Sequence, residues 1–450
     1  MTISFADRKA ALARQIANGP SDGHTGAVGL NKSTSNLFRD RKRAPKRRLD
    51  ASAFHHVLEV DSREGWVDVE GMTPYDALAA ATLRSGAMPC VVPQLKSITI
   101  GGAVAGVGIE ASSFRYGLVH DTLIELEILL GDGSIVVARP DNELSDLFFA
   151  FPNSYGTLGY ALRVKTKTIL VKPYVKLTHL RYRDANEYFR RLGEWCLAGD
   201  VDFVDGSVFG AEQLYVTLGR FVDEAPYTSD YTYENIYYRS IAQRESDYLT
   251  TEAYLWRWDT DWFWCSKNLG AQHPLVRRLL GRKRLNSRFY TKVMRWNSRW
   301  RLTHALDCIS GLHRESVIQD VDVPIEHAAQ FLDFFQREIG ISPVWICPIG
   351  APHPARRWTL YPLDRSKLYV NFGFWDVVRA ERARPPGYYN RLVEQKVQEL
   401  QGIKSLYSDS FYPPAEFWAT YDGEVYQALK RKYDPGGVFK DLYQKCVLRQ

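Results

Sequence analysis

Residues able to do chemistry gather in three stretches. Thr99 to Gly117, TIGGAVAGVGIEASSFRYG, sets Gly101, Gly102, Gly106, Gly108 and Gly117 among small residues around one carboxyl, Glu110. Glycines in such a run mark the close approach of a ligand or another backbone. Side-chain-free backbone can bring N–H groups onto a phosphate, with hydroxyls from Thr99 and from Ser112 or Ser113 in support. The run is neither a Walker loop, since no Gly-Lys-Ser/Thr follows, nor a GxGxxG fingerprint. The second stretch, VIQDVDVP, reads as a strand with Ile318, Asp320 and Asp322 on one face. A carboxyl in a desolvated pocket can stay protonated near neutral pH and act as an acid, whereas a salt-bridged structural acid is the plainer alternative for Asp320 and Glu110 alike. The third is WICP, where Cys347 alternates on a strand and reads as a core cysteine.

The elements that must hold these residues are legible around them. HHVLEVD and GWVDVEG read as paired short strands, and TGAVGL as a strand followed by the polar loop NKSTSNLFR. MTPYDALAAATLRSGA predicts a helix with Thr73 as N-cap and Pro74 at its first position, closing at Gly86. DTLIELEILLGDGSIVVARP predicts a hairpin about Gly131-Asp132-Gly133. SDLFFAFPNSYGTLGYALRVKTKTIL starts as a capped short helix and ends as a long strand. Composition shifts near Lys172-Pro173, and the stretch from Glu315 to Gly350 then reads strand, helix, strand, with Pro324 at the helix start and Gly340 at its end. The boundaries expected are 1–171, 172–404 and a C-terminal segment, 405–450, that returns to the first domain.

A chain of 450 residues exceeds what one core usually organises. Its 45% hydrophobic and 24% charged residues are those of a globular protein, and 12 Trp, 26 Tyr and 21 Phe suit an apolar pocket. Cys90, Cys196, Cys265, Cys308, Cys347 and Cys446 form no CxxC or zinc-like spacing, which predicts buried, reduced thiols and no metal site. No window reaches the roughly 18 apolar residues of a membrane span, and MTISFADRKAALARQ lacks a signal-peptide core. The expectation is a cytoplasmic protein. The net charge of +6 is uneven: Arg39 to Arg48 is nearly all basic, and Val276 to Arg301 interleaves cations and aromatics without one acid. Both runs read as solvated faces, and the second also as a peripheral contact with anionic lipid. No nucleic-acid module accompanies them.

With its flanks PCVVPQLKSI and YGLVHDTLIELEILLGDGSIV, the glycine stretch resembles the p-cresol methylhydroxylase-type FAD-binding domain of the vanillyl-alcohol oxidase superfamily. The shared pattern appears as Pro93, Thr99 to Gly102, Asp132-Gly133, and Asp146-Leu147-Phe148 with Gly156 and Gly159. From about residue 55 onward the chain is similar to the Δ24-sterol reductase family. The phrases that carry this likeness include VVPQLKSITIGGAVAGVGIEASSFRYGL, PVWICPIG and FWATYDGEVYQALKRKYDPGGVF. The resemblance implies an α+β protein: a two-part FAD-binding domain with an α+β cap, an antiparallel sheet covered by helices. It places Pro93, Thr99, Ile100, Gly101, Gly102, Ala105, Gly106, Gly108 and Ala111 along FAD. Ile109 and Glu110 fall near the flavin ring, Gly159 and Ala161 near adenine, and Gly156 is also expected to bind the cofactor. KSTSNLF is expected to supply a first loop through Ser35 and Asn36 (with Ser33 beside them). DGHTG, around His24, precedes its strand, so FAD is expected to be non-covalent. The eukaryotic reductases carry an N-terminal membrane anchor, which is not seen here.

The activity implied is reduction of a C=C bond in a sterol- or isoprenoid-like lipid, with NADPH as electron donor and Glu110, Asp320 and Tyr407 as catalytic candidates. Ser408 stands where oxidase relatives place a lysine. An FAD-linked oxidase or dehydrogenase of an alcohol or sugar-lipid, and a non-catalytic lipid- or nucleic-acid-binding protein on the same fold, remain as alternatives.

Overall fold

Sheets set the architecture, because long alternating strands dominate the chain. The computed structural model describes residues 4–17, 28–32, 38–39, 47–300, 313–380 and 382–450, with the backbone alone over 294–300. A small parallel pair joins β1 (Val28–Asn31) and β2 (Arg47–Asp50). A second sheet is wholly antiparallel, in the order β3 (Val57–Asp61), β4 (Trp66–Glu70), β8 (Tyr160–Leu170), β6 (Leu123–Leu129), β7 (Ile135–Ala138). A short β5 (Ala87–Pro89) pairs with the end of β8. Along β8, Leu162, Val164 and Thr166 turn into the core while Arg163, Lys165 and Lys167 turn outward. This alternation marks a sheet with one solvated face. The predicted hairpin joins β6 to β7.

The third sheet has eight antiparallel strands. Their order is β12 (Ser246–Thr250), β9 (Tyr174–Tyr182), β11 (Gln213–Val222), β10 (Phe203–Gly210), β14 (Val344–Ile349), β15 (Tyr369–Ala380), β13 (His313–Pro324), β16 (Ile403–Lys404). Period-two alternation splits its side chains between two cores. Val344 and Ile346 of β14, Phe372 and Phe374 of β15, and Val321 of β13 pack under helices Ala185–Ala198, Ile325–Glu338 and Tyr388–Glu399. Trp345, Cys347 and Trp375 turn the other way, into the core shared with the first domain's elements. The fold is thus α+β, with helices covering one face of this sheet. The C-terminal helices return to the first part of the chain: Lys432 pairs with Asp146 at 2.6 Å, and Lys430 donates to Thr157 O at 2.7 Å.

Local expectations need three corrections. The helix expected from Pro74 is Tyr75–Leu83, with Pro74 in the cap position. Thr73 does not cap it, because its hydroxyl donates to His56 O at 3.2 Å. Helix Ser145–Ala150 likewise has no side-chain cap. The basic run from Arg39 is not simply a solvated face either. Arg39 is buried and donates to Cys446 Sγ at 2.7 Å, Arg47 and Arg48 lie in β2, and residues 40–46 are outside the described residues.

Candidate active site

The glycine stretch, expected as a loop, forms a short helix, Ile100–Ala105, between extended segments. Thr99 caps it: Gly102 N–H donates to Thr99 Oγ1 at 3.3 Å. The same bonding engages three of the four glycine N–H groups expected to face a phosphate, those of Gly101, Gly102 and Gly106. Ile100 N–H donates to Thr73 O at 3.0 Å, Gly101 N–H to Gly71 O at 2.8 Å, and Gly106 N–H to Gly102 O at 3.0 Å. The glycines answer first to the protein's own packing. A Cβ on Gly101 would lie 2.6 Å from Gly71 O, and one on Gly108 would lie 2.5 Å from Val119 Cγ2. Gly101→Ala should therefore cost about 1–3 kcal/mol through overpacking, read as a lower Tm in both the presence and the absence of added FAD. An unchanged Tm would return this glycine to a purely ligand-facing role. Ser112 and Ser113 are also engaged internally, Ser112 Oγ donating to Cys90 O at 2.7 Å and Ser113 Oγ accepting from Glu110 N–H at 3.1 Å.

A cavity of about 530 Å³ nevertheless runs along this backbone, a size that suits a cofactor or drug-sized ligand. Pro93, Thr99, Gly101, Gly102, Ala105 and Gly106 line it, as do Gly108, Ile109, Gly156, Gly159 and Ala161. Ile100 and Ala111 do not; both are buried in the core behind it. Ser35, Asn36, Ser33 and His24 fall outside the described residues.

The opposite wall comes from the large sheet and its insertions: Asp320, Trp345, Trp375, Trp262, Phe263 and Cys265, with Tyr407 from the returning segment. Phe263 packs on Trp375 with ring centroids 4.4 Å apart. Trp262 (φ 46°), Phe263 (φ 51°) and Tyr155 (φ 51°) all hold left-handed backbone, strained for bulky residues and concentrated at functional sites. All three line the cavity.

Asp320 owes its place to the strand period, since β13 turns Val321 under the helices and Asp320 to the cavity. Its cross-strand partner is Gly373, whose missing side chain makes room: a Cβ there would lie 2.6 Å from Asp320 Oδ1. Burial pushes the Asp320 carboxyl up to about 8, against the lowering effect of a hydrogen bond with Tyr407. Trp375 Nε1 donates to Tyr407 Oη at 2.6 Å, which leaves the phenolic hydrogen for Asp320. The site thus presents a carboxyl that burial biases toward its protonated form, bonded to Tyr407, with Oδ1 buried beside Gly373 and without a partner. Asp322, on the same face, differs. Asn371 Nδ2 and Tyr361 Oη each donate to it at 2.7 Å, and burial lifts it to about 6.

Glu110 is placed differently from the expectation. It is 2% exposed, does not line the cavity, and faces Arg257 at 3.1 Å. Arg257 also pairs with Asp205 at 3.0 Å, and Trp345 Nε1 donates to Asp205 at 3.1 Å. Burial pushes Glu110 up to about 7, opposed by the Arg257 charge. This buried ion cluster joins the glycine segment to β10 and leaves Glu110 Oε2 without a hydrogen-bond partner. Cys347 belongs to the same layer, its Sγ donating to Glu110 O at 3.1 Å, with burial raising the thiol well above its usual range. It is a core cysteine, as expected.

Several wall residues escaped the sequence reading. Gln94 follows Pro93, is 3% exposed and lines the cavity; its buried amide makes no hydrogen bond of good geometry, although it lies close enough to Glu110 to favour that carboxylate. A buried amide so weakly partnered is costly, and a ligand with both an acceptor and a donor would relieve it. Lys440 and Arg48 bring cations to the same wall, with Lys32 and Lys445 beside them. These groups fit an anionic, heteroaromatic dinucleotide such as FAD, through side-chain cations and Gln94 more than through the glycine N–H groups. Gln94→Leu should loosen FAD by about tenfold, read by equilibrium dialysis; unchanged retention would remove Gln94 from the contact set. Among the described residues no cluster of His, Cys, Asp and Glu could hold a metal ion.

Residues 34–139 match the family model described as FAD binding domain. Delta(24)-sterol reductase of Homo sapiens is 28% identical over 402 residues, covering 86% of this chain and 75% of the relative. The protein of that name from Pisum sativum is 28% identical over 459 residues, covering 90% and 77%. Cytokinin dehydrogenase 3 of Arabidopsis thaliana is 29% identical over 144 residues, or 32% of this chain. The resemblance to an FAD-binding domain and, across most of the chain, to Δ24-sterol reductases is thereby borne out.

Proposed function

We propose that the protein is an FAD-dependent reductase of an isolated C=C bond in a sterol- or isoprenoid-like lipid, with electrons from NADPH. The observation that carries the reading is Asp320: a carboxyl in the wall of an aromatic-lined cavity, pushed up to about 8 by burial. The FAD-binding domain match and the relatedness to sterol reductases support the flavin and the substrate class.

Bound non-covalently in this cavity and reduced by NADPH, FAD would supply the hydride. An isolated alkene has no carbonyl to polarise it, so a proton must arrive with or before hydride. The Asp320 carboxyl would give that proton to one alkene carbon, leaving the other, more substituted carbon to receive the hydride. The resulting Asp320 carboxylate keeps the Tyr407 hydroxyl as donor and regains a proton from solvent before the next turnover. The Trp262, Phe263, Trp345 and Trp375 rings exclude water and give the apolar lipid its contact area. Gln94, Arg48 and Lys440, with Lys32 and Lys445, hold the polar parts of FAD. Against the alcohol-oxidising alternative, Ser408 has no base to offer, and Lys404, in β16 just before the returning segment, is buried on Glu394 at 2.9 Å.

Anaerobic mixing with NADPH, followed by a screen of Δ24-type sterols and isoprenoids, tests the reading. NADPH should bleach the flavin and a lipid alkene should reoxidise it. Flavin bleached by alcohols and not by NADPH would overturn it in favour of a dehydrogenase. A protein that takes up no FAD would remove both enzymatic readings.

A further inference from the structure

We propose that the segment after Trp262 and Phe263 is a docking element for an anionic lipid surface. Helix Pro274–Leu280 presents Leu275 and Leu279 four residues apart, 64% and 82% exposed, hence on one face. The helix is not loosely attached. On its opposite side Arg277 is 3% exposed, pairs with Asp261 at 2.5 Å, and donates from Nε to Tyr233 O at 2.6 Å. The leucines therefore face outward in a fixed orientation.

Cations surround them. Residues 276–301 contain ten Lys and Arg and no Asp or Glu. Arg282 and Arg288 are matched by Asp230 and Asp76. Arg278, Lys283, Arg284 and Lys292 are exposed and have no carboxylate partner among the described residues. A nucleic acid would satisfy these charges but leave both leucines in water. A bilayer with anionic headgroups answers both, since apolar side chains enter the acyl boundary while cations stay at the phosphates.

The element also reaches the cavity. Tyr290, from helix Ser287–Trp300, stacks on the cavity-lining Trp262 with centroids 6.2 Å apart. The basic segment is therefore in contact with the aromatic wall of the cavity, which would bring an apolar substrate's site close to a docked bilayer. That consequence rests on the lipid-reductase reading; the docking does not.

The test is cosedimentation of the FAD-loaded protein with vesicles of phosphatidylcholine alone and of phosphatidylcholine with about one-third phosphatidylglycerol. Binding should need the anionic lipid and weaken with salt. Leu275→Ser/Leu279→Ser should lower affinity by about tenfold or more. Arg278→Gln/Lys283→Gln/Arg284→Gln should lower it by about fivefold per charge. Because these side chains are exposed, Tm and bound FAD should stay unchanged, which separates lost docking from lost folding. Equal binding to neutral vesicles, no binding to either kind, or full binding by the leucine variant would overturn the proposal, as would DNA binding that matches vesicle binding in strength. A protein that cosediments as expected but reduces no lipid would keep the docking and remove the reductase reading.

Discussion

Replacing Asp320 by Asn should leave FAD bound and still reducible by NADPH, while lowering alkene turnover by about 10²- to 10⁴-fold, the usual worth of a positioned acid. The amide keeps the size of the side chain and a contact for Tyr407 but carries no transferable proton. Stopped-flow measurement separates the two half-reactions: flavin bleaching should persist and reoxidation by lipid should stop. Loss of both together would mean a damaged cofactor site, and unaltered turnover would acquit Asp320. The pH profile gives a second readout. An acid is active when protonated, and burial holds Asp320 at about 8, so lipid-dependent reoxidation should be level below that pH and fall above it. Tyr407→Phe removes a hydrogen bond that favours the carboxylate, so the falling limb should move to higher pH.

The largest effect on stability is expected from Arg257. This guanidinium is buried, bonded to Glu110 and Asp205, and packed on the Tyr254 ring with its carbon 3.9 Å from the centroid. Arg257→Met leaves two carboxyls buried without a counter-charge, which should cost about 3–5 kcal/mol, seen as a Tm drop of several degrees. The combined replacement Arg257→Met/Glu110→Gln/Asp205→Asn removes charges of both signs and should recover most of the loss. If it recovers nothing, the single variant acts through lost packing and not through stranded charge. Glu110 also carries a pH signature. Its folded value, about 7, lies above its usual one, so the folded state holds a proton that the unfolded chain has released. That contribution is fully present below the unfolded value and is lost as pH rises to about 7. Glu110→Gln lacks the term, so its Tm relative to the parent should improve across that window.

Much of this site could be read before any coordinates. VIQDVDVP already put Asp320 and Asp322 on one side of a strand, because side-chain alternation is a local property. The hairpin about Asp132-Gly133 and the strand-helix-strand from Glu315 to Gly350 were legible for the same reason, as turn chemistry and periodicity act over a few residues. Glu110 was not. Its neighbours in the chain say nothing about Arg257, 147 positions away, and a lone glutamate beside glycines looks the same whether it faces a ligand or an ion pair. Gln94 was equally opaque, since an amide's partners are counted only after the wall around it is built.

By itself, then, the sequence determined the strands and turns that carry the site and the face on which Asp320 lies, through short-range periodicity and turn preference. The α+β class and the FAD reading of Thr99 to Gly117 came with the family resemblance. Tertiary structure alone decided which carboxyl reaches the cavity: Asp320 lines it opposite Gly373, Asp322 is tied to Tyr361 and Asn371, and Glu110 is paired with Arg257 away from it. A carboxyl's charge and availability depend on burial and on partners brought from distant strands, and those exist only once the sheets have packed.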